Sequence, residues 1–208
     1  MLKYKHIIFD FDGTLSDSYP AFVKAMRSVM QDYGIERTEE EIYYLLKKYS
    51  TAYIFNNCGF NEHKEDAKVK FRALSDRLLR SEARPIEGTE EILRFIAENG
   101  GRSYVYSHSG DIVIENVKRW GFEKYFVDYQ LGDTEFPRKP APDALLNLMK
   151  KNCLAAETCV MVGDRDIDVL AGKNAGIAGI LMDTENYYSE LSVEYRIDRL
   201  TDIIDILR

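Results

Sequence analysis

The sequence predicts an α/β fold: a parallel sheet covered by helices, with an all-helical segment inserted near its start. Three observations predict it. From about residue 85 to the C-terminus, short apolar runs alternate with helical patterns, the signature of strands joined by crossover helices. One further run, His6-Ile7-Ile8-Phe9, stands apart at the beginning, ahead of a wholly helical stretch. The strands then end in polar residues, Asp10, Ser107 and Asp164, and in open parallel sheets the ligand crevice lies beyond the carboxyl ends of the strands.

Taken in order, Phe22, Met26, Val29, Met30 and Tyr33 fall at helical spacing, with Asp17 or Ser18 available as cap and Gly34 as stop. Thr38 to Lys48 is a second helix, opened by a capping box between Thr38 and Glu41. Ser50 to Cys58 is a short helix ended by Gly59, and Glu62 to Glu82 a long one with Ala67, Phe71, Leu74 and Leu78 on its apolar stripe. Residues 17–84 are therefore a helical insert, and 1–16 with 85–208 form the α/β core. In the core, helices are expected at Thr89 to Glu98, Asp111 to Trp120, Pro142 to Lys151, Ile167 to Ala175 and from Thr201. Strands are expected at Arg102 to Tyr106, within Tyr125 to Leu131, and at Thr158 to Val162, Ile177 to Met182 and Tyr195 to Ile197. Right-handed crossovers would place helices on both faces.

Composition narrows the function classes. The 208 residues suffice for a core domain with a smaller insert. A net charge of -7 argues against a nucleic-acid partner, which demands clustered lysine and arginine. No run approaches the roughly 20 apolar residues of a membrane span. The start, Met1-Leu2-Lys3-Tyr4-Lys5-His6, shows no secretory pattern, and Cys58, Cys153 and Cys159 lie far apart, so reduced thiols and a cytoplasmic setting are expected.

The chemistry concentrates in Asp10-Phe11-Asp12-Gly13-Thr14, where a buried strand ends in two carboxylates one residue apart. Such neighbours repel and lose hydration, so they stay ionised only when a cation or several donors answer them. Asp10 fits a nucleophile, Asp12 a general acid and base, and the Gly13 and Thr14 loop a phosphate cradle. The alternative is an ordinary surface turn. Asp164 and Asp168 follow another apolar strand; Asp164 is placed to bind a metal directly and Asp168, one turn on, to hold a metal-bound water. Helix capping accounts for one of these acids, but a rim with four carboxylates needs a cation. Oxygen ligands without paired Cys or His point to Mg²⁺. Lys139 sits among Pro137, Pro140 and Pro142, which stiffen its backbone so that the amine could be presented to the site, but on sequence alone the solvated-linker reading is the favoured one.

The Asp10-Phe11-Asp12-Gly13-Thr14 string resembles the first motif, D-x-D-x-T, of the haloacid dehalogenase superfamily, and its longer form resembles the phosphoglycolate phosphatase-like and beta-phosphoglucomutase-like branch. Ser107 matches the second motif, Lys139-Pro140 the third and Gly163-Asp164 with Asp168 the fourth. The resemblance implies a Rossmann-like core with a helical cap and a Mg²⁺-dependent phosphatase acting on a small phosphate ester through an aspartyl phosphate. In that scheme Asp10 attacks phosphorus and Asp12 protonates the leaving alcohol. Mg²⁺ is held by Asp10, Asp12 through its carbonyl, and Asp164, with Asp168 beside them; Ser107, Lys139, Gly13 and Thr14 hold the phosphoryl oxygens. The aspartate at position 12 favours a phosphatase over a dehalogenase, because halide leaves without a proton. His108 is expected as pocket lining or as a structural residue, and Lys48, within Lys47-Lys48-Tyr49-Ser50-Thr51, as the residue reading the leaving group or as a solvated helix end. A sugar-phosphate mutase and a receiver-like phosphorylation module remain as alternatives, and the chain as monomer or homodimer.

Overall fold

The computed structural model describes residues 2–132 and 135–208. Strand β1 (His6–Phe9) is followed by β2 (Ser16–Asp17), by the helices α1 (Tyr19–Asp32), α2 (Glu39–Lys48), α3 (Thr51–Asn57) and α4 (Lys64–Glu82), and by β3 (Arg84–Pro85). Then come α5 (Thr89–Glu98), β4 (Arg102–Ser107), α6 (Ile112–Arg119), β5 (Phe126–Leu131) and α7 (Asp143–Lys151). The chain closes with β6 (Cys159–Gly163), α8 (Asp166–Asn174), β7 (Ala178–Met182), β8 (Tyr195–Ile197) and α9 (Ile203–Leu207).

Six strands form one sheet in the order β5-β4-β1-β6-β7-β8, and every pairing is parallel. The opening strand is therefore central, with Phe9 level with Val105 on one side and Val162 on the other. Both faces are covered, which is why these strands read as unbroken apolar runs. Ile7, Phe9, Val105, Val160 and Val162 pack toward α5, α6 and α9, whereas Ile8, Tyr104, Tyr106 and Met161 pack toward α7 and α8. The pleat thus divides alternate residues of β1 between two cores.

Residues 17–84 form a second compact unit, distinct from the unit of residues 1–16 and 85–208. Its core is made by Met26 and Met30 of α1, Ile42 and Leu46 of α2, Ile54 and Phe55 of α3, and Ala67 and Phe71 of α4. The capping box of α2 is formed: Glu41 N–H donates to Thr38 Oγ1 at 3.1 Å and Thr38 N–H to Glu41 Oε2 at 2.8 Å. The cap of α1 differs from expectation. Ser18 occupies the N-cap position, but its backbone is helical (φ -98°, ψ -18°) and its side chain makes no capping bond. A capping hydroxyl needs an extended backbone to reach the first amides. The long helix begins at Lys64, after a 3-10 turn over Asn61–His63. The strands β2 and β3, two residues each, carry too little periodicity to be read from sequence.

Candidate active site

Three adjacent strands of the sheet, β4, β1 and β6, end together, and their C-terminal ends carry Ser107, Asp10 and Asp164. Asp10 continues the ladder for one residue, its N–H donating to Val162 O at 2.8 Å, so the carboxylate is set by the sheet rather than by a loose turn. After Asp12 the chain reverses on Gly13, whose φ of 83° suits glycine. Asp10, Thr14, Ser107, Lys139, Asp164 and Asp168 are all buried.

Lys139 joins these parts. Its Nζ donates to Asp10 Oδ1 at 2.7 Å, to Tyr106 O at 2.8 Å and to Asp168 Oδ1 at 2.8 Å. Three acceptors match the three hydrogens of an ammonium group. The side chain retains 1% of its exposure, so the solvated-linker reading of this proline-rich loop is overturned. Burial alone would discharge the amine, but Asp10 and Asp168 outweigh it and hold its pKa above the ordinary lysine value. At Asp10 the balance runs the other way: burial pushes the carboxyl well above its usual range, Lys139 opposes this, and Asp168, Asp164 and Asp12 add to it.

Asp168 spends both oxygens on positioning, Oδ1 on Lys139 and Oδ2 on the Arg165 N–H at 3.1 Å, which closes the first turn of α8. Gly163 makes that approach possible, because a Cβ there would lie 2.2 Å from Asp168 Cβ. Thr14 Oγ1 lies 3.4 Å from Asp164 Oδ1, tying the first loop to the end of β6. The amides of Gly13 and Thr14 donate within their own loop, to Ser16 O and Phe11 O. Ser107 Oγ accepts the Ser109 N–H at 3.0 Å, a local serine turn; its hydroxyl is not a helix cap, since α6 starts only at Ile112. His108 Nε2 accepts the Lys139 N–H at 3.1 Å, which makes it a strut for the lysine loop. Burial first, then Lys139, Arg138 and Arg165, lower its pKa to about 2, so it is a neutral acceptor and no base at working pH.

Asp12, half-buried, accepts at Oδ2 from Ser109 Oγ at 2.5 Å. Sequence reasoning did not single out Ser109 or the Tyr106 carbonyl, and it named Gly163 only as part of a motif, without the close approach it allows. A serine within a turn carries no pattern of its own, and a backbone carbonyl carries none at all. Lys48 belongs to the other unit, in the last turn of α2, and its neighbour Lys47 is buried against the Tyr19 ring at 4.9 Å.

Asp10, Asp164 and Asp168 each offer an oxygen within 4.8 Å of one another. Three buried carboxylates gather around one ammonium in a low-dielectric place, where a further positive charge is favoured. An all-oxygen donor set of this kind fits a hard divalent cation. With Asp168 committed to Lys139 and Arg165, the residues that fit as direct ligands are Asp10 and Asp164.

A buried lysine and converging aspartates at the carboxyl ends of a parallel sheet lie where open α/β folds bind their ligands. The chain belongs to the haloacid dehalogenase-like hydrolases, whose family model matches residues 7–182. It is 28% identical to a phosphoglycolate phosphatase of Vibrio parahaemolyticus, over 98% of this chain and 96% of that one. It is 27% identical to a 5'-nucleotidase of Pseudomonas aeruginosa, over 86% and 82% of the two chains. A haloacid dehalogenase-like hydrolase from Streptococcus pneumoniae shares the fold with a TM-score of 0.87 at 17% identity, covering 98% of each chain.

Proposed function

We propose that this protein is a Mg²⁺-dependent phosphatase that hydrolyses a small phosphorylated metabolite, a phosphoglycolate-like phosphomonoester, through an aspartyl phosphate on Asp10. The carrying observation is the clamp on Asp10: its Oδ1 lies 2.7 Å from a buried ammonium, beside two further carboxylates. Mg²⁺, held by Asp10 and Asp164, would neutralise phosphoryl charge. An Asp10 oxygen forms the bond to phosphorus while the bond to the leaving oxygen breaks, and Asp12 gives that oxygen its proton. A water then attacks the phosphoaspartate and returns a proton to Asp12. Lys139 and Ser107 would hold the phosphoryl oxygens, and Lys139, 2.7 Å from Asp10 Oδ1, opposes the effect of burial and favours the ionised nucleophile. Named relatives acting as phosphoglycolate phosphatase and 5'-nucleotidase support a monoester substrate.

The test is a panel of phosphate esters assayed for inorganic phosphate with Mg²⁺ and with chelator. Metal-dependent release is expected, abolished in Asp10→Asn. Release that survives this substitution refutes the aspartyl-phosphate route. A mutase would instead return an isomeric sugar phosphate, and a receiver module a persistent phosphoaspartate.

A further inference from the structure

We infer that Ser109 is a positioning residue for Asp12, holding its carboxyl in the orientation that delivers a proton to the leaving group; the inference rests on the phosphatase reading above. The contact is a direct hydroxyl-to-carboxylate bond, Ser109 Oγ to Asp12 Oδ2 at 2.5 Å, between residues 97 positions apart in the chain. The serine is itself fixed from two sides. Its N–H donates to Ser107 Oγ at 3.0 Å, and its carbonyl accepts the Gly132 N–H at 2.9 Å, so the end of β5 clasps the loop. The same Gly132 N–H reaches Ser107 O at 3.2 Å. Ser109 is therefore referred to the ends of β4 and β5, and Asp12 to the turn after β1, where its backbone bridges to Ser16.

The chemical consequence lies in how the two carboxyl oxygens are divided. A hydroxyl donating to Oδ2 occupies that oxygen in both the acid and the base form, so the transferable proton is carried on Oδ1. In phosphoryl transfer to Asp10 the bond to the leaving oxygen breaks with its electron pair, and that oxygen takes the Oδ1 proton. Without the Ser109 hydroxyl that contact on Oδ2 is lost, and with it the preference it gives for carrying the proton on Oδ1. General acid catalysis matters in proportion to how poorly the group leaves. A simple alkoxide needs the proton; a p-nitrophenolate, which delocalises its charge, does not.

The experiment compares kcat/KM for glycerol phosphate and p-nitrophenyl phosphate in the full chain with Mg²⁺, in wild type, Ser109→Ala, Ser109→Thr and Ser109→Val. This ratio reports steps up to phosphoryl transfer, before water is used. The expected result is a fall of about tenfold or more for glycerol phosphate in Ser109→Ala, with p-nitrophenyl phosphate little changed. Threonine, which keeps the hydroxyl, should restore the alkyl ester, and valine, its isostere without one, should not. An equal fall for both esters, or Thr and Val behaving alike, overturns the inference and leaves Ser109 a structural residue. Failure of the phosphatase reading shows separately, as wild type that releases phosphate from neither ester.

Discussion

Lys139 has three acceptors around one nitrogen, two of them buried carboxylates. Truncating it to methionine keeps the stem but strands Asp10 and Asp168 without a counter-charge, a loss of about 3–5 kcal/mol for breaking a buried pair. Urea unfolding of Lys139→Met should show that loss, and added Mg²⁺ should recover part of it by answering the same carboxylates. His108 gives a prediction of opposite chemical sense. Folded, it stays neutral down to about pH 2; unfolded, it titrates near the ordinary histidine value of 6.5. Below that value the unfolded chain binds a proton that the folded chain refuses, so His108 costs stability as pH falls, by roughly 1.4 kcal/mol per unit. His108→Asn keeps an acceptor for the Lys139 N–H and removes the titration. Between pH 6.5 and 5 the mutant should gain on wild type in paired urea titrations, and a constant difference would refute the neutral assignment. At this scale Asp10, Asp12 and Asp164 were legible because their residue types have no cheap reason to end a buried strand. The lysine's burial was not, since prolines around a lysine fit an exposed linker better; nor was Ser109, whose meaning depends on a partner 97 residues away.

Among the elements, the first turn of α8 shows how little space the site allows. Asp168 reaches back to Lys139 across the end of β6 because Gly163 has no side chain. In Gly163→Ala the new Cβ would fall 2.2 Å from Asp168 Cβ, an atom fixed to the helix backbone rather than a flexible tip. Either α8 shifts or Asp168 leaves the lysine, at roughly 1–3 kcal/mol for such overpacking. Turnover should fall more steeply than thermal stability, because Lys139 loses one of its two carboxylate partners; a fully active alanine variant would show that the Asp168 contact is dispensable. Strands and helices of the core were readable as elements because each spans enough residues to show its period. Two-residue strands such as β2 and β3 show none, and the missing Ser18 cap reflects a backbone angle that residue type does not dictate.

For the molecule as a whole, the charge at the meeting of three strands ties folding to a cation. Asp10, Asp164 and Asp168 bring three carboxyl groups against the buried ammonium of Lys139, in a chain already at -7. The folded state gathers these oxygens within 4.8 Å, whereas the unfolded chain disperses them over more than 150 residues of sequence. A divalent cation should therefore bind the folded form preferentially and raise its melting temperature. At a hundredfold excess over Kd the gain is about 2.7 kcal/mol. For a chain of this length that corresponds to roughly 5 to 11 °C. The rise should saturate with Mg²⁺ concentration and should not be reproduced by NaCl at matched ionic strength, which screens the net charge without occupying the site. Asp164→Asn removes a ligand while leaving the Lys139 clamp in place, so it should melt near the wild-type metal-free temperature and no longer respond to Mg²⁺. A variant that still responds with the same midpoint would place the cation elsewhere on the acidic surface, and the link between the strand-end carboxylates and the phosphatase reading would be lost.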